Sequence, residues 1–258
     1  MSATGTSDAS SLGQLIADLA SEQLELQAVC ASLSADEWLT PTAARGWDVR
    51  DTIAHLADTD EIAIDTIDDG PRSLNRFVTL FASSRDVTLW GVLRGRRRSG
   101  ADVLAWWERT STLECERLAG LAGTARVPWG IGMGRPAFVT ARLMETWAHG
   151  LDVRNAVGVE SVDTDRLRHV AFLATRALPY AFSYAGRAFP ATPLRVELDL
   201  PSGATWTHGP ADAPDRITGP AGEYCRVFVQ RLSVRDAPGL TATGAAAREA
   251  LVVARAFL

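Results

Sequence analysis

Apolar residues recur at helical spacing through most of the first two thirds of the chain. Between residues 11 and 33, Leu12, Leu15, Ile16, Leu19, Leu24, Leu26 and Val29 follow a period near 3.6 and predict a first helix. The stretch SADEW then sets Ser34 three residues before Glu37, a capping-box spacing that predicts a short helical turn ahead of Pro41. Asp48 reads as the N-cap of a second long helix, which the pair Gly70-Pro71 stops after Asp69. Residues 75–98 are less regular: a short helix is expected at 77–81, and Arg94, Arg96, Arg97 and Arg98 read as a solvated cluster. Leu104, Trp107, Leu113 and Leu118 predict a helix over 101–121, and VPWGIGMG reads as a glycine-rich loop. Pro136, tolerated in a first turn, opens a helix that runs to Val157 with Gly158 as its terminator, and another is expected over 165–184.

Beyond residue 184 the pattern changes, with Pro190, Pro193, Pro201, Pro210, Pro214 and Pro220 in quick succession. LRVELDL alternates as a strand, Ser202-Gly203 marks a turn, ATWTH reads as the hairpin partner, and RITG as a third short strand. Helical patterns return over 221–232 and 245–257. The expected fold is mainly α with a small α+β part: a helical domain over 8–185, followed by a small α+β domain over 186–258.

Composition narrows the chemistry. Of 258 residues 47% are apolar and 22% charged, the balance of a globular protein with a sizeable core. No run approaches the roughly 18 apolar residues that a membrane helix takes. The N-terminus MSATGTSDAS also lacks the basic and apolar segments of a signal peptide, so a cytoplasmic, membrane-free location is expected. A formal net charge of -5 argues against nucleic acid as a partner. All 26 basic residues are Arg, which excludes Schiff-base lysine chemistry and P-loop nucleotide binding. Cys30, Cys115 and Cys225 are far apart and show no CxxC spacing, so neither a disulfide framework nor a cysteine nucleophile is expected.

The four histidines carry more information. His55 lies in the middle of DVRDTIAHLADTDEIA. At about 100° per residue, Asp51, Asp58, Thr59 and Ile62 share its side of the helix. In RLMETWAHGLDVRNAVG, spacings of four and three place Glu145, His149 and Asp152 on one face. Helix bundles build metal sites from such inward-facing groups on different helices. His55, Glu145 and His149 together would make the two-His, one-carboxylate set of catalytic zinc sites, with one position left open. Asp51 or Asp58 would then orient the His55 ring, and Asp152 the His149 ring. Iron, cobalt, nickel or manganese would accept the same donors. From spacing alone, a Glu-x-x-x-His pair fits a solvated helix face equally well. His169 and His208 lack comparable partners and read as surface residues.

The segment GWDVRDTIAHL, followed some ninety residues later by ETWAHGLDVRNAVG, resembles the metal-binding domain of the mycothiol-dependent maleylpyruvate isomerase family, part of the wider DinB-like four-helix group. The resemblance covers roughly residues 12–158. It implies a DinB-like bundle in which His55, Glu145 and His149 hold one divalent metal, normally zinc, with mycothiol as co-substrate. RITGPAGEYCRVFVQRL is similar to part of the sterol-carrier-like α+β domain that follows the bundle in this family. There an arginine of the C-terminal domain assists the substrate, which makes Arg226 and Arg231 candidates here.

The function so implied is that of a thiol S-transferase or cis–trans isomerase acting on a small, electrophilic, possibly anionic substrate. A non-catalytic metal-containing protein that binds a lipid or other small molecule is the alternative, and a metal-dependent hydrolase a third reading. Oligomeric state stays open between a monomer and a homodimer.

Overall fold

The computed structural model describes residues 12–70, 80, 83–121, 126–129 and 132–256. The chain divides into two compact units, residues 1–157 and 158–258. The transition expected at 185–186 therefore lies earlier, because the helices of 167–184 belong with the sheet rather than with the bundle.

The first unit is built on four long helices: α1 (Leu12–Ala31), α2 (Val49–Asp69), α4 (Gly100–Gly120) and α5 (Arg135–Val157). A shorter helix, α3 (Ser84–Gly95), packs on α2. Local chemistry sets the boundaries. The Asp48 side chain accepts from Asp51 N at 2.7 Å while Asp51 Oδ2 accepts from Asp48 N at 3.4 Å, a capping box that starts α2. Gly70 ends it at φ +59°, a conformation that favours glycine. Ser99 and Asp102 cap α4 in the same reciprocal way, and Ser34 with Glu37 nucleates the 3-10 turn Glu37–Leu39. That turn seats Trp38 in the core directly over Gly100, where any side chain would collide with the indole. Leu26, Cys30, Trp38, Val49, Ile53, Leu56, Val103, Trp106, Trp107 and Val153 form one buried cluster between the helices.

Of three expectations for this unit, one is untested and the others change. The helix expected at 77–81 lies almost wholly outside the described residues. The irregular stretch after it contains α3, and its arginines are not simply solvated. Arg94 Nη1 bonds Asp58 Oδ1 and Glu61 Oε2 of α2, Arg96 pairs with Asp51, and both Arg94 and Arg98 lie over the Trp106 ring. The glycine-rich loop carries a minimal antiparallel pair, β1 (Arg126–Val127) with β2 (Met133–Gly134).

In the second unit, the helix expected over 165–184 is two: α6 (Leu167–Arg176) and α7 (Leu178–Tyr184). Pro179 cannot donate to Thr175, so the ladder breaks there. A four-stranded sheet of order β4-β3-β5-β6 follows, made of β3 (Leu194–Asp199), β4 (Thr205–His208), β5 (Asp215–Pro220) and β6 (Thr241–Thr243). The β3–β4 hairpin is antiparallel, β5 runs parallel to β3, and β6 is a strand the sequence pattern does not announce. Helix α8 (Ala221–Phe228) stops four residues short of expectation, with Gln230 at φ +59° just beyond its end. Helix α9 (Ala245–Val252) is likewise shorter than expected. It is held by buried Asp215, whose Oδ2 accepts from Ala246 N at 2.5 Å and Ala247 N at 3.3 Å. His169 is buried rather than superficial, and His208 stacks on Trp206 with ring centroids 5.9 Å apart.

Candidate metal centre

Helix α2 carries His55, and α5 carries Glu145 and His149 one turn apart. Packing of the two helices brings the three together. Glu145 Oε2 lies 3.8 Å from His55 Nε2 and 3.5 Å from His149 Nε2, and one ligand atom from each residue falls within 4.8 Å of the other two. Zinc bonds of about 2.0–2.2 Å place tetrahedral ligand atoms about 3.3–3.6 Å apart, so the two Glu145 contacts already lie near that spacing, and the two imidazole nitrogens, within 4.8 Å, would draw in around an ion. The imidazoles are 12% and 13% exposed and the Glu145 side chain 28%, which leaves the carboxylate side the more open.

Burial and neighbouring charge shift the three groups in different directions. Burial opposes ionisation of Glu145, but the His149 and His55 imidazoles outweigh it and hold the carboxyl well below its usual range. Burial pushes the His55 imidazole down, toward the neutral form that ligates. For His149, burial is outweighed by the Asp152 and Glu145 carboxylates, and its pKa rises. Buried Asp152 places Oδ2 3.3 Å from His149 Nδ1, on the side away from Nε2.

Asp51 and Asp58, read from sequence as partners of the His55 ring, are committed elsewhere. Asp51 accepts from Arg96 Nε and Nη2 at 2.7–3.1 Å, and Asp58 accepts from Arg94. Both aspartates are buried, and the arginine cluster rather than His55 satisfies them. Arg226 forms a two-point bond with Asp163 at 2.7 and 2.8 Å, and Arg231 donates to Val229 O at 2.8 Å. Both arginines lie in the second unit.

The sequence pattern gave no notice of two further features. Trp47, immediately before the α2 cap, packs on both imidazoles, with centroids 5.2 Å from His55 and 6.2 Å from His149. Deeper in the bundle, Arg142 of α5 bonds Glu114 of α4 and Asp60 of α2, all three buried, and Gln23 of α1 donates to Glu114 at 3.3 Å. The signal for the second was present, since Asp60, Glu114 and Arg142 are charged residues set among apolar neighbours of three helices.

Comparison with known proteins places these helices. The sequence matches the family described as mycothiol maleylpyruvate isomerase N-terminal domain over residues 19–154, a span that includes His55, Glu145 and His149. Uncharacterized proteins of two Mycobacterium tuberculosis strains are 38% identical over 248 residues, covering 95% of this chain and 95% of theirs. The crystal structure of the mycothiol-dependent maleylpyruvate isomerase shares the fold with a TM-score of 0.58 at 14% identity, covering 90% of this chain and 92% of that one. A mutant of that enzyme superposes with a TM-score of 0.57. On the family match and the near full-length relatives together, the chain belongs to the mycothiol maleylpyruvate isomerase N-terminal domain family.

Proposed function

We propose that this protein is a divalent-metal and thiol-dependent enzyme, an isomerase or S-transferase for a small electrophilic substrate, with mycothiol as the thiol. The observation that carries this reading is the convergence of His55, Glu145 and His149 on one point at the boundary of the bundle. An ion held by these residues, most readily zinc, would stabilise a small thiol as its nucleophilic thiolate at neutral pH.

The chain's own residues fit that division of labour. Asp152 Oδ2 lies 3.3 Å from Nδ1 of His149, which has no other hydrogen-bond partner, so a small turn of either side chain would let the carboxylate hold the tautomer that leaves Nε2 free to ligate. Glu145 is held as a carboxylate by its two imidazole neighbours. No protein thiol competes for the role of nucleophile. Burial pushes Cys30 and Cys115 up to about 12 and Cys225 well above the usual thiol value, so all three stay protonated at neutral pH. The nucleophile therefore comes from outside the chain. Its addition to an electrophilic carbon, with a proton taken up at the neighbouring atom, gives a thioether. Loss of the same thiol and proton after bond rotation completes an isomerisation, whereas release of the thioether completes a transfer.

Metal content by inductively coupled plasma mass spectrometry on tag-free protein, beside His55→Ala and His149→Ala, tests the site. About one metal per chain, lost in both variants, is expected. Thiol-dependent turnover of electrophiles by the loaded wild type then tests the reaction. Absence of metal under every loading condition would overturn the proposal and leave a small-molecule binding protein as the better reading.

A further inference from the structure

His149 and His55 are supported unequally. Behind His149 stands the Asp152 carboxylate, 3.3 Å from Nδ1. The two acidic residues that share the His55 side of α2 are bound to Arg96 and Arg94 instead. An imidazole ligand needs something to fix its plane, because rotation about χ2 swings Nε2 off the ion. At His55 the neighbours in a position to do this are the rings of His149, 4.9 Å away at 72°, and of Trp47, 5.2 Å away at 51°.

The backbone that carries Trp47 is held at several points. The backbone N–H of Trp47 donates to Ala44 O and its backbone carbonyl accepts from Thr42 N, both at 2.9 Å, and Pro41 forms a bridge with Asp48 on the other side. Gly46 makes the turn possible at φ +82°. Its carbonyl accepts from Arg96 Nη2 at 2.9 Å, so the guanidinium that takes Asp51 also ties down the loop. The indole that results lies within 24° of parallel to His149 and tilts onto His55.

We infer that Trp47 is a positioning residue of the metal centre: its indole, fixed by the Ala44–Trp47 turn, clamps both imidazoles, sets the plane of His55, and keeps water off their faces. This rests on the metal reading above and adds to it a residue outside the ligand set. With an ion bound, the clamp would hold both imidazoles on it and slow its release. Without it the His55 ring turns more freely, and water reaches the ion from the uncovered side.

The test compares wild type, Trp47→Phe, Trp47→Leu and Trp47→Ala, each loaded with Co(II) and with Zn(II). Two readouts are used, the visible Co(II) absorption, which is intense for four-coordinate and weak for higher-coordinate ions, and the rate of Zn(II) release to an excess of chelator. Phe retains a flat ring and is expected to match wild type. Leu and Ala are expected to lose most of the four-coordinate absorption and to release zinc about tenfold faster, in the range seen for groups that orient metal ligands. Leu preserves apolar bulk, so it supplies the comparison should Ala fail to fold. Wild-type spectra and release rates in Trp47→Leu would overturn the inference while leaving the metal centre intact. A wild type that takes up neither ion would overturn the metal reading itself.

Discussion

Arg142 Nη2 donates to Asp60 Oδ1 at 2.6 Å in the interior of the bundle, while Nε of the same guanidinium donates to Glu114 Oε1 at 2.8 Å. One cation thus faces two carboxyls from two other helices. Burial, and after it the Glu114 carboxylate, raises Asp60 well above its usual pKa, and burial also raises Glu114. The cluster is close to neutral when one of the two keeps its proton. It lies one turn before Glu145 on α5, so it fixes the rotation of the helix that presents two of the three candidate metal donors.

Removing the cation leaves two carboxyls with little solvent to turn to. Arg142→Met is expected to lower the unfolding free energy by about 3–5 kcal/mol at neutral pH, the usual cost of breaking a buried pair from one side. The loss should shrink in mild acid, where both carboxyls are protonated. Urea unfolding followed by circular dichroism at two pH values checks this, and equal losses at both would contradict the buried-charge account.

Asp60 also predicts a sign. Its pKa is higher folded than unfolded, so between the two values the native state holds more protons than the unfolded chain. Stability from this group is complete below its unfolded pKa of about 3.9 and is lost as pH rises toward the folded value. Asp60→Asn, which keeps the shape and the acceptor for Arg142 but cannot ionise, should show a shallower fall in stability from mildly acidic to mildly alkaline pH. Parallel curves for wild type and variant would refute the assignment.

At the candidate metal centre, His149 is raised above the ordinary imidazole value of about 6.5, with Asp152 and Glu145 overcoming burial. Zinc must displace that proton. Apparent affinity is expected to climb as pH rises past the ordinary imidazole value and to level off only above the raised one, with close to one proton released per ion at the lower end. Competition against a chelator of known pH dependence measures the slope.

Asp152→Asn keeps an oxygen for the Nδ1 proton but removes the charge. A loss of about 10-fold in zinc affinity is expected, with one metal still bound per chain at saturation. Loss of stoichiometry would show instead that Asp152 holds the helix together rather than tuning His149.

Gly100 tests packing apart from chemistry. A methyl group there meets the Trp38 indole, and the overpacking should cost about 1–3 kcal/mol. Thermal unfolding of Gly100→Ala reads it directly.

Much of this arrangement is written in local sequence. Helix α2 and its two ends follow from Asp48, Asp51 and Gly70, whose effects reach only a turn of backbone. The pairing of Glu145 with His149 follows from helical spacing. What sequence does not carry is partner choice across helices. Asp51 and Asp58 lie near His55 on a helical wheel, yet α3 delivers Arg96 and Arg94 to them, and α3 had no clear period to predict it. Trp47 is silent for a related reason, since its contact with two imidazoles depends on a turn closed by Gly46 and Arg96. In the second unit, β6 is three residues long and exists through its pairing with β5, a long-range relation without a local signature.

The three thiols have a consequence for the life of the protein. Cys30 and Cys225 are buried, Cys115 is half-buried and bonded to Gln23, and all three are held in the thiol form, so the chain offers no thiolate to exchange with a small disulfide at neutral pH. On the proposed thiol dependence, oxidative stress would drain the mycothiol pool to its disulfide while these three thiols stayed unmodified. Activity would then fall with the supply of co-substrate and return with it, needing no repair of the enzyme.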